Sequence, residues 1–226
     1  MKAFLLAAGR GTRLGNLTAR VPKCLIPIRG KPLLDLWIDR LARAGFSTVR
    51  LNTHHLAEVV ESHIRQAKYP IEVTTHFEDE LLGTAGTLFR HQDWLSSGDV
   101  LVAHADNYSL LDIAEFMQAH QQRVESAVMT MLAFRTPTPE TCGILEVDSR
   151  HVLMNMWEKS HEDHGDLANA AIYALTPSVL PYLKGAFDFS TDVIPKLFNK
   201  INVVETDRTH IDIGTPESLQ LAQKTT

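Results

Sequence analysis

Lys2-Ala3-Phe4-Leu5-Leu6-Ala7-Ala8-Gly9-Arg10-Gly11-Thr12-Arg13 is an apolar run that closes on two glycines interleaved with two arginines. A short continuous apolar run bounded by glycine suits a buried strand. Glycines directly after such a strand let backbone N–H groups approach a phosphate, and flanking arginines neutralise its charge. The segment matches neither of the two best-known phosphate loops. Leu14 occupies the third glycine position of a dinucleotide loop, and no Gly-Lys-Ser or Gly-Lys-Thr tripeptide occurs in the chain. A dehydrogenase is disfavoured on the first count. On this segment alone, a basic strand-to-helix turn without a ligand reads the same way.

Working outward, strand and helix signals alternate. Leu34, Trp37, Ile38 and Leu41 fall at helical spacing and Gly45 follows as a stop. Thr48–Asn52 and Ile71–Phe77 read as strands, with Leu56, Val59, Val60 and Ile64 marking a helix between them. A helix from about Thr84 to Leu95 leads into the apolar run Asp99–Ala105. This alternation predicts an α/β fold, a Rossmann-like, mostly parallel mixed sheet flanked by helices, with ligands at the carboxyl ends of the strands. Ser126–Phe134, Gly143–Asp148, Val152–Trp157 and Ala168–Leu175 are further strand candidates, with fewer helices between them. Helices near Ser178–Leu183 and Thr191–Phe198 precede a strand pair around Asn202–Thr206 and Thr209–Ile213. The helix Pro216–Gln223 has Thr215 as N-cap and proline in its first turn. With no repeat and no obvious linker, residues 1–226 read as one domain with two functional halves.

Composition narrows the function classes. The 226 residues are 44% hydrophobic and 22% charged, ordinary for a globular protein. Lys plus Arg number 22 against 27 Asp plus Glu, a net charge of -5, which argues against generic nucleic-acid binding. Cys24 and Cys142 cannot build a disulfide framework and read as free thiols in a reducing compartment. The run after Lys2 imitates a signal peptide but breaks at Gly9-Arg10, short of the roughly 7–15 apolar residues one needs. No stretch approaches the roughly 18 apolar residues of a membrane span, so a cytoplasmic protein is expected.

Pro22-Lys23 adds a second cation near the glycine loop, with proline rigidifying its approach. Taken singly, Lys23 would be a solvated surface charge, the usual fate of a lysine. The order Leu6-Ala7-Ala8-Gly9-Arg10-Gly11-Thr12-Arg13-Leu14, Pro22-Lys23, Gly30-Lys31-Pro32-Leu33 resembles the signature of sugar-1-phosphate nucleotidylyltransferases. The opening block alone also admits the cytidylyl- and guanylyltransferases of isoprenoid and molybdopterin synthesis. Later segments, reaching to Gly214-Thr215-Pro216, are similar only to the sugar enzymes. Cys24, Asn16 and Ala105 depart from the family's usual residues, and none removes a catalytic group. Compact members, such as mannose or heptose 1-phosphate guanylyltransferases and muramate 1-phosphate uridylyltransferase, lack a trailing β-helix domain and are the ones this chain resembles.

The chemistry that the resemblance implies is displacement at an α-phosphorus, in which an anionic phosphate approaches an anionic triphosphate. Positioning, metal ions and fixed cations carry such catalysis. Mg²⁺ takes one or two carboxylates plus phosphate oxygens and waters. Asp106 closes the run Val100–Ala105 and would point into the ligand crevice, although an N-cap or turn role is also open to it. Asp212, between Ile211 and Ile213, is expected half-buried and so to need a metal or a paired cation. The resemblance implies that both hold Mg²⁺, while Arg13 and Lys23 are catalytic.

Leu82-Gly83-Thr84-Ala85-Gly86 places small residues at a helix start, as close approach to a flat ring requires, but a tight loop with Thr84 as N-cap would look identical. By resemblance, Leu6, Ala8, Gly9, Gly11, Thr12, Gly83, Thr84, Gly86 and Asn107 bind nucleotide. Gly143 is expected where a ligand crowds a strand. Glu158, Lys159 and Asn169 match positions that bind sugar hydroxyls and the sugar phosphate, and Gly143 joins them as substrate-binding. The 11 histidines include His54-His55 and the polar stretch His161–His164, neither spaced as a zinc site.

The expected partners are therefore an NTP and a sugar 1-phosphate, with no nucleic acid and no membrane. GTP with a mannose-like or heptose-like sugar leads, and UTP stands close behind. The rival reading is a catalytically silent nucleotide-sugar-binding sensor or partner subunit. Base, sugar, pathway and oligomeric state stay open.

Overall fold

The computed structural model describes residues 1–225. They divide into two compact units, each assembled from separated stretches rather than from one half of the chain. The first unit comprises Met1–Leu81, Val102–Ile113 and the chain from Thr209 onward; the second comprises Leu82–Leu101 and Ala114–Arg208.

The first unit is built on parallel strands. Lys2–Leu6 pairs with Thr48–Thr53, which pairs with Glu72–Phe77, both in parallel. Residues 102–104, the end of strand Val100–His104, lie on the other side of Lys2–Leu6. Ala3, Phe4 and Leu5 are fully buried, as a run covered on both faces requires. Helix Leu33–Arg43 buries Leu33, Leu34, Trp37, Ile38 and Leu41 on one stripe and ends at Gly45, whose φ of 82° is the left-handed stop expected of it. Helix Ala57–Gln66 departs from expectation: Leu56 caps it at φ 53°, Val59 is exposed, and Ala57 and Val60 are the buried residues. Helix Pro216–Lys224 starts as expected, with the Thr215 hydroxyl accepting from the Ser218 N–H in a reciprocal cap.

The second unit carries the antiparallel pairings of the mixed sheet. Leu167–Leu175 pairs antiparallel with Met129–Arg135 and with Gly143–Val147, which in turn pairs antiparallel with Leu153–Glu158. The strands Ile201–Thr206 and His210–Asp212 do not pair with each other, contrary to expectation. Ile201–Thr206 runs parallel to Met129–Arg135, with Ile201 and Val203 buried. His210–Asp212 joins Asn107–Ser109 in the first unit as an antiparallel ribbon. Alternating apolar residues select a buried neighbour over the short hairpin between them.

Other boundaries also move. The expected helix Thr84–Leu95 is two helices, Gly83–Arg90 and Gln92–Leu95, separated at His91. The helical stretch near 191 opens at Phe189 as a wide turn capped by the Asp188 carboxylate, which accepts from the Thr191 N–H. Helix Ile113–Gln121, not foreseen, buries Ile113, Phe116, Met117 and His120. Among the described residues no helix is long and apolar enough to cross a membrane.

Candidate active site

Lys23 is not a surface charge. Pro22 leads into a single tight turn in which Leu25 N–H donates to the Pro22 carbonyl, and that turn aims the Lys23 side chain inward, leaving it only 8% exposed. Its Nζ lies 2.6 Å from Asp106 Oδ2 and 2.8 Å from Asp212 Oδ1. Arg13 Nη2 approaches the other Asp212 oxygen at 3.3 Å. The two candidate catalytic cations and the two candidate metal ligands thus form one connected cluster in the first unit.

The ribbon explains how aspartates distant in sequence meet. Asp212 stands opposite Asn107, the residue after Asp106, and Ile213 N–H donates to the Asp106 carbonyl at 3.3 Å. The buried Trp37 indole donates to the Asn107 carbonyl at 2.8 Å, and the Ala105 N–H donates to the Leu6 carbonyl at 2.9 Å. Asp106 is therefore fastened on both sides. Asp212 is more open than expected, with its side chain 50% exposed, because the ribbon turns Ile213 inward and Asp212 outward. The cation partner that its setting demanded is present twice, as Lys23 and Arg13.

Burial alone would lower the Lys23 ammonium's pKa, but Asp106 and then Asp212 outweigh it, and the net shift is upward. Burial would likewise raise Asp106; Lys23 and then His104 reverse that and hold the carboxylate below its usual range. His210 on the same ribbon is pushed down to about 4 by burial and stays neutral near pH 7. Cys24, behind Lys23, is pushed up to about 12, by burial first and then by Asp106.

Beside the cluster lies the glycine loop. Gly11 has φ 62°, and a Cβ there would come within 2.9 Å of the Thr18 methyl, so glycine is required whether or not a ligand binds. Thr12 opens a short helical turn, Thr12–Leu17, while Gly9 borders open space. Leu6 and Ala8 are buried beneath the loop. Two residues that sequence reasoning passed over hold this corner. Asn52 accepts from the Ala7 N–H at 2.8 Å and donates to Glu78 at 3.1 Å, and Asn52 and Glu78 are both buried. A lone Asn near the end of an apolar strand was the available signal. At Gly214 a Cβ would lie 2.7 Å from Arg13 Nη2 and 3.0 Å from Asp212 Oδ2. The glycine leaves the space in which Arg13 meets Asp212.

In the second unit Gly83 starts its helix at φ 73°, and a Cβ would strike the Phe187 carbonyl oxygen at 2.2 Å. Its smallness answers to Phe187. Gly86 has only ordinary contacts. Thr84 is inside the helix rather than its N-cap; its hydroxyl accepts from the Phe189 N–H at 2.7 Å and donates to Asp188 at 3.2 Å. Gly143 sits opposite Glu158, whose Oε2 would be 2.7 Å from a Cβ there, so the crowding neighbour is Glu158. Glu158 lies 3.8 Å from Lys159, and burial raises its pKa despite that neighbour. Asn169 donates to the Tyr173 hydroxyl at 2.9 Å and accepts from the Ala171 N–H at 2.9 Å, bracing a bulge in which Ala171 has φ 51°.

The histidine clusters are spent elsewhere. His54 and His55 bond to the carbonyls of Glu78 and Thr18, and His164 stacks on Trp157 with ring centroids 4.0 Å apart. Among the described residues no three His, Cys, Asp or Glu converge as a metal-holding group; Asp106 and Asp212 are a pair.

A family model described as "Nucleotidyl transferase" matches residues 2–226. The chain belongs to the nucleotidyl transferase family. A family member named putative mannose-1-phosphate guanyltransferase, from Sulfolobus acidocaldarius, is 31% identical over 96% of this chain and 60% of its own length. A UTP–glucose-1-phosphate uridylyltransferase of Synechocystis is 28% identical over 95% of this chain and 60% of its own. The chain thus spans about three-fifths of these relatives. The crystal structure of HddC from Yersinia pseudotuberculosis superposes with a TM-score of 0.84 at 25% identity, covering 99% of this chain and 98% of that one. Such solved relatives share this chain's fold class, a mixed, mostly parallel sheet flanked by helices.

Proposed function

We propose that this family member transfers a nucleoside monophosphate from an NTP to a sugar 1-phosphate. In that reaction a sugar-phosphate oxygen bonds to the α-phosphorus, the bond from that phosphorus to the oxygen bridging it to the β-phosphorus breaks, and pyrophosphate leaves. The observation that carries the reading is the Lys23–Asp106–Asp212–Arg13 cluster beside the glycine loop. A phosphate monoester is already an anion, so no general base is needed. What the site must supply is positive charge at fixed positions. Arg13 and Lys23 are the cations for the triphosphate, and backbone N–H groups around Gly9 and Gly11 complete its cradle.

Asp106 and Asp212 suit Mg²⁺ as a two-carboxylate set, with the nucleotide's own oxygens and water completing its shell. When bound, the ion would offset charge developing on the phosphates. Asp106 is held ionised and is therefore ready to serve. In the second unit, Glu158, Lys159 and Asn169 are the proposed sugar-phosphate set, and Gly83, Thr84 and Gly86 the proposed base-side set. GTP with a mannose-like or heptose-like sugar is the first choice, supported by the name of the Sulfolobus relative; UTP follows, as in the Synechocystis relative's name.

Pyrophosphate release from each of GTP, UTP, dTTP, CTP and ATP, with Mg²⁺ and a panel of sugar 1-phosphates, tests the proposal. Release that depends on one NTP together with one sugar phosphate supports it and names both substrates. A folded protein that binds nucleotide-sugar but stays silent across the panel overturns it in favour of a binding subunit.

A further inference from the structure

Lys23 stands between the two carboxylates proposed for the metal. Of their four oxygens, Asp106 Oδ2 and Asp212 Oδ1 are within hydrogen-bond distance of its Nζ, and Asp212 Oδ2 faces Arg13. A divalent ion entering between these carboxylates would meet an ammonium at close range, and like charges so placed repel strongly. The ammonium and the ion therefore compete for one position. We infer that Lys23 is the resident cation of the Asp106–Asp212 pair in the nucleotide-free protein, and that its withdrawal toward phosphate is what opens the pair to a divalent ion. The inference rests on the nucleotidylyl-transfer reading of this site.

The anchoring makes such an exchange economical. The Lys23 backbone is held by the turn in which Leu25 N–H donates to Pro22 and Ile26 N–H to Lys23, so only the four-carbon stem has to move. An arriving triphosphate gives the ammonium a new anionic partner as it leaves the old ones. Metal and nucleotide binding are then positively coupled through one side chain, and each strengthens the other. Arg13, 68% exposed and bonded to the outer Asp212 oxygen, need not move far.

The test is Mn²⁺ binding to the nucleotide-free full chain, followed by electron paramagnetic resonance. Wild type should bind Mn²⁺ weakly. Lys23→Gln, which removes the charge and keeps a polar side chain, should bind it at least about tenfold more tightly, the lower range of a site-to-site coupling. Adding Asp106→Asn to that variant should abolish the gain, which a general electrostatic effect would not do. Equal affinity in wild type and Lys23→Gln overturns the inference. So does tight Mn²⁺ binding by wild type without nucleotide, a result that needs no variant to fold. Pyrophosphate release is scored separately: an inactive wild type whose Lys23→Gln variant still gains Mn²⁺ affinity sinks the proposed activity and keeps the exchange, and the converse sinks only the exchange.

Discussion

At the residue scale, Lys23 and Asp106 tie stability to pH at both ends. Lys23's folded pKa lies above its ordinary 10.5, so its contribution is fully present below that value and is lost as pH rises through the folded pKa. Asp106's folded pKa lies below 3.8, so its contribution is present above 3.8 and is lost as pH falls through the folded value. Lys23→Met removes the charge that most lowers the Asp106 pKa while burial still raises it, so the folded pKa of Asp106 moves up in the variant. The variant's deficit in urea midpoint relative to wild type should therefore shrink as pH is lowered from 7 towards 4; a deficit that stays constant or widens would count against this pairing. Asp106→Asn should lower turnover by roughly 10²–10³, the scale of losing one preorganised charge, with circular dichroism unchanged. The two thiols separate as well. A thiol reagent at neutral pH should modify Cys142 alone in the native protein and both cysteines in denaturant, because Cys24 is 2% exposed with its pKa pushed up to about 12.

At the element scale, the start of helix Gly83–Arg90 rests on one glycine. Gly83→Ala asks for φ 73° from a residue with a Cβ and drives that atom into the Phe187 carbonyl. A cost of about 1–3 kcal/mol is expected, a fall in Tm of several degrees by calorimetry. Thr215→Ala removes the hydroxyl that caps helix Pro216–Lys224 and should cost about 1 kcal/mol in urea unfolding. The helix and strand periods of Leu33–Arg43 and Thr48–Thr53 were plain in the sequence because each element carries its own apolar stripe. The break at His91 was not. His91 is buried and its carbonyl accepts from both Trp94 and Leu95, an arrangement settled by packing rather than by helix propensity.

At the scale of the whole molecule, ligand binding should register as stability. A cognate NTP with Mg²⁺ at about 100 times its Kd should add about 2.7 kcal/mol, which raises Tm by roughly 5–10 °C in a thermal-shift assay. No shift with any NTP would count against the proposed site. Candidate residues could be named from the chain because their types suit phosphate chemistry: glycines for close approach, lysine and arginine for charge, aspartate for a divalent ion. Their local pattern also determined the parallel strands and most helices, since apolar periodicity reports which face each element must bury. Sequence could not say that Asp212 faces Asp106, because that depends on the ribbon of His210–Asp212 with Asn107–Ser109, a pairing across about a hundred residues. Nor could it say that Lys23, ordinarily a solvated residue, lies buried between them. That Phe187 crowds Gly83 and Glu158 crowds Gly143 was equally invisible, since those contacts join distant segments. Composition and spacing constrain what each segment can do alone; charge pairing and close contact depend on distances that exist only once the segments are packed.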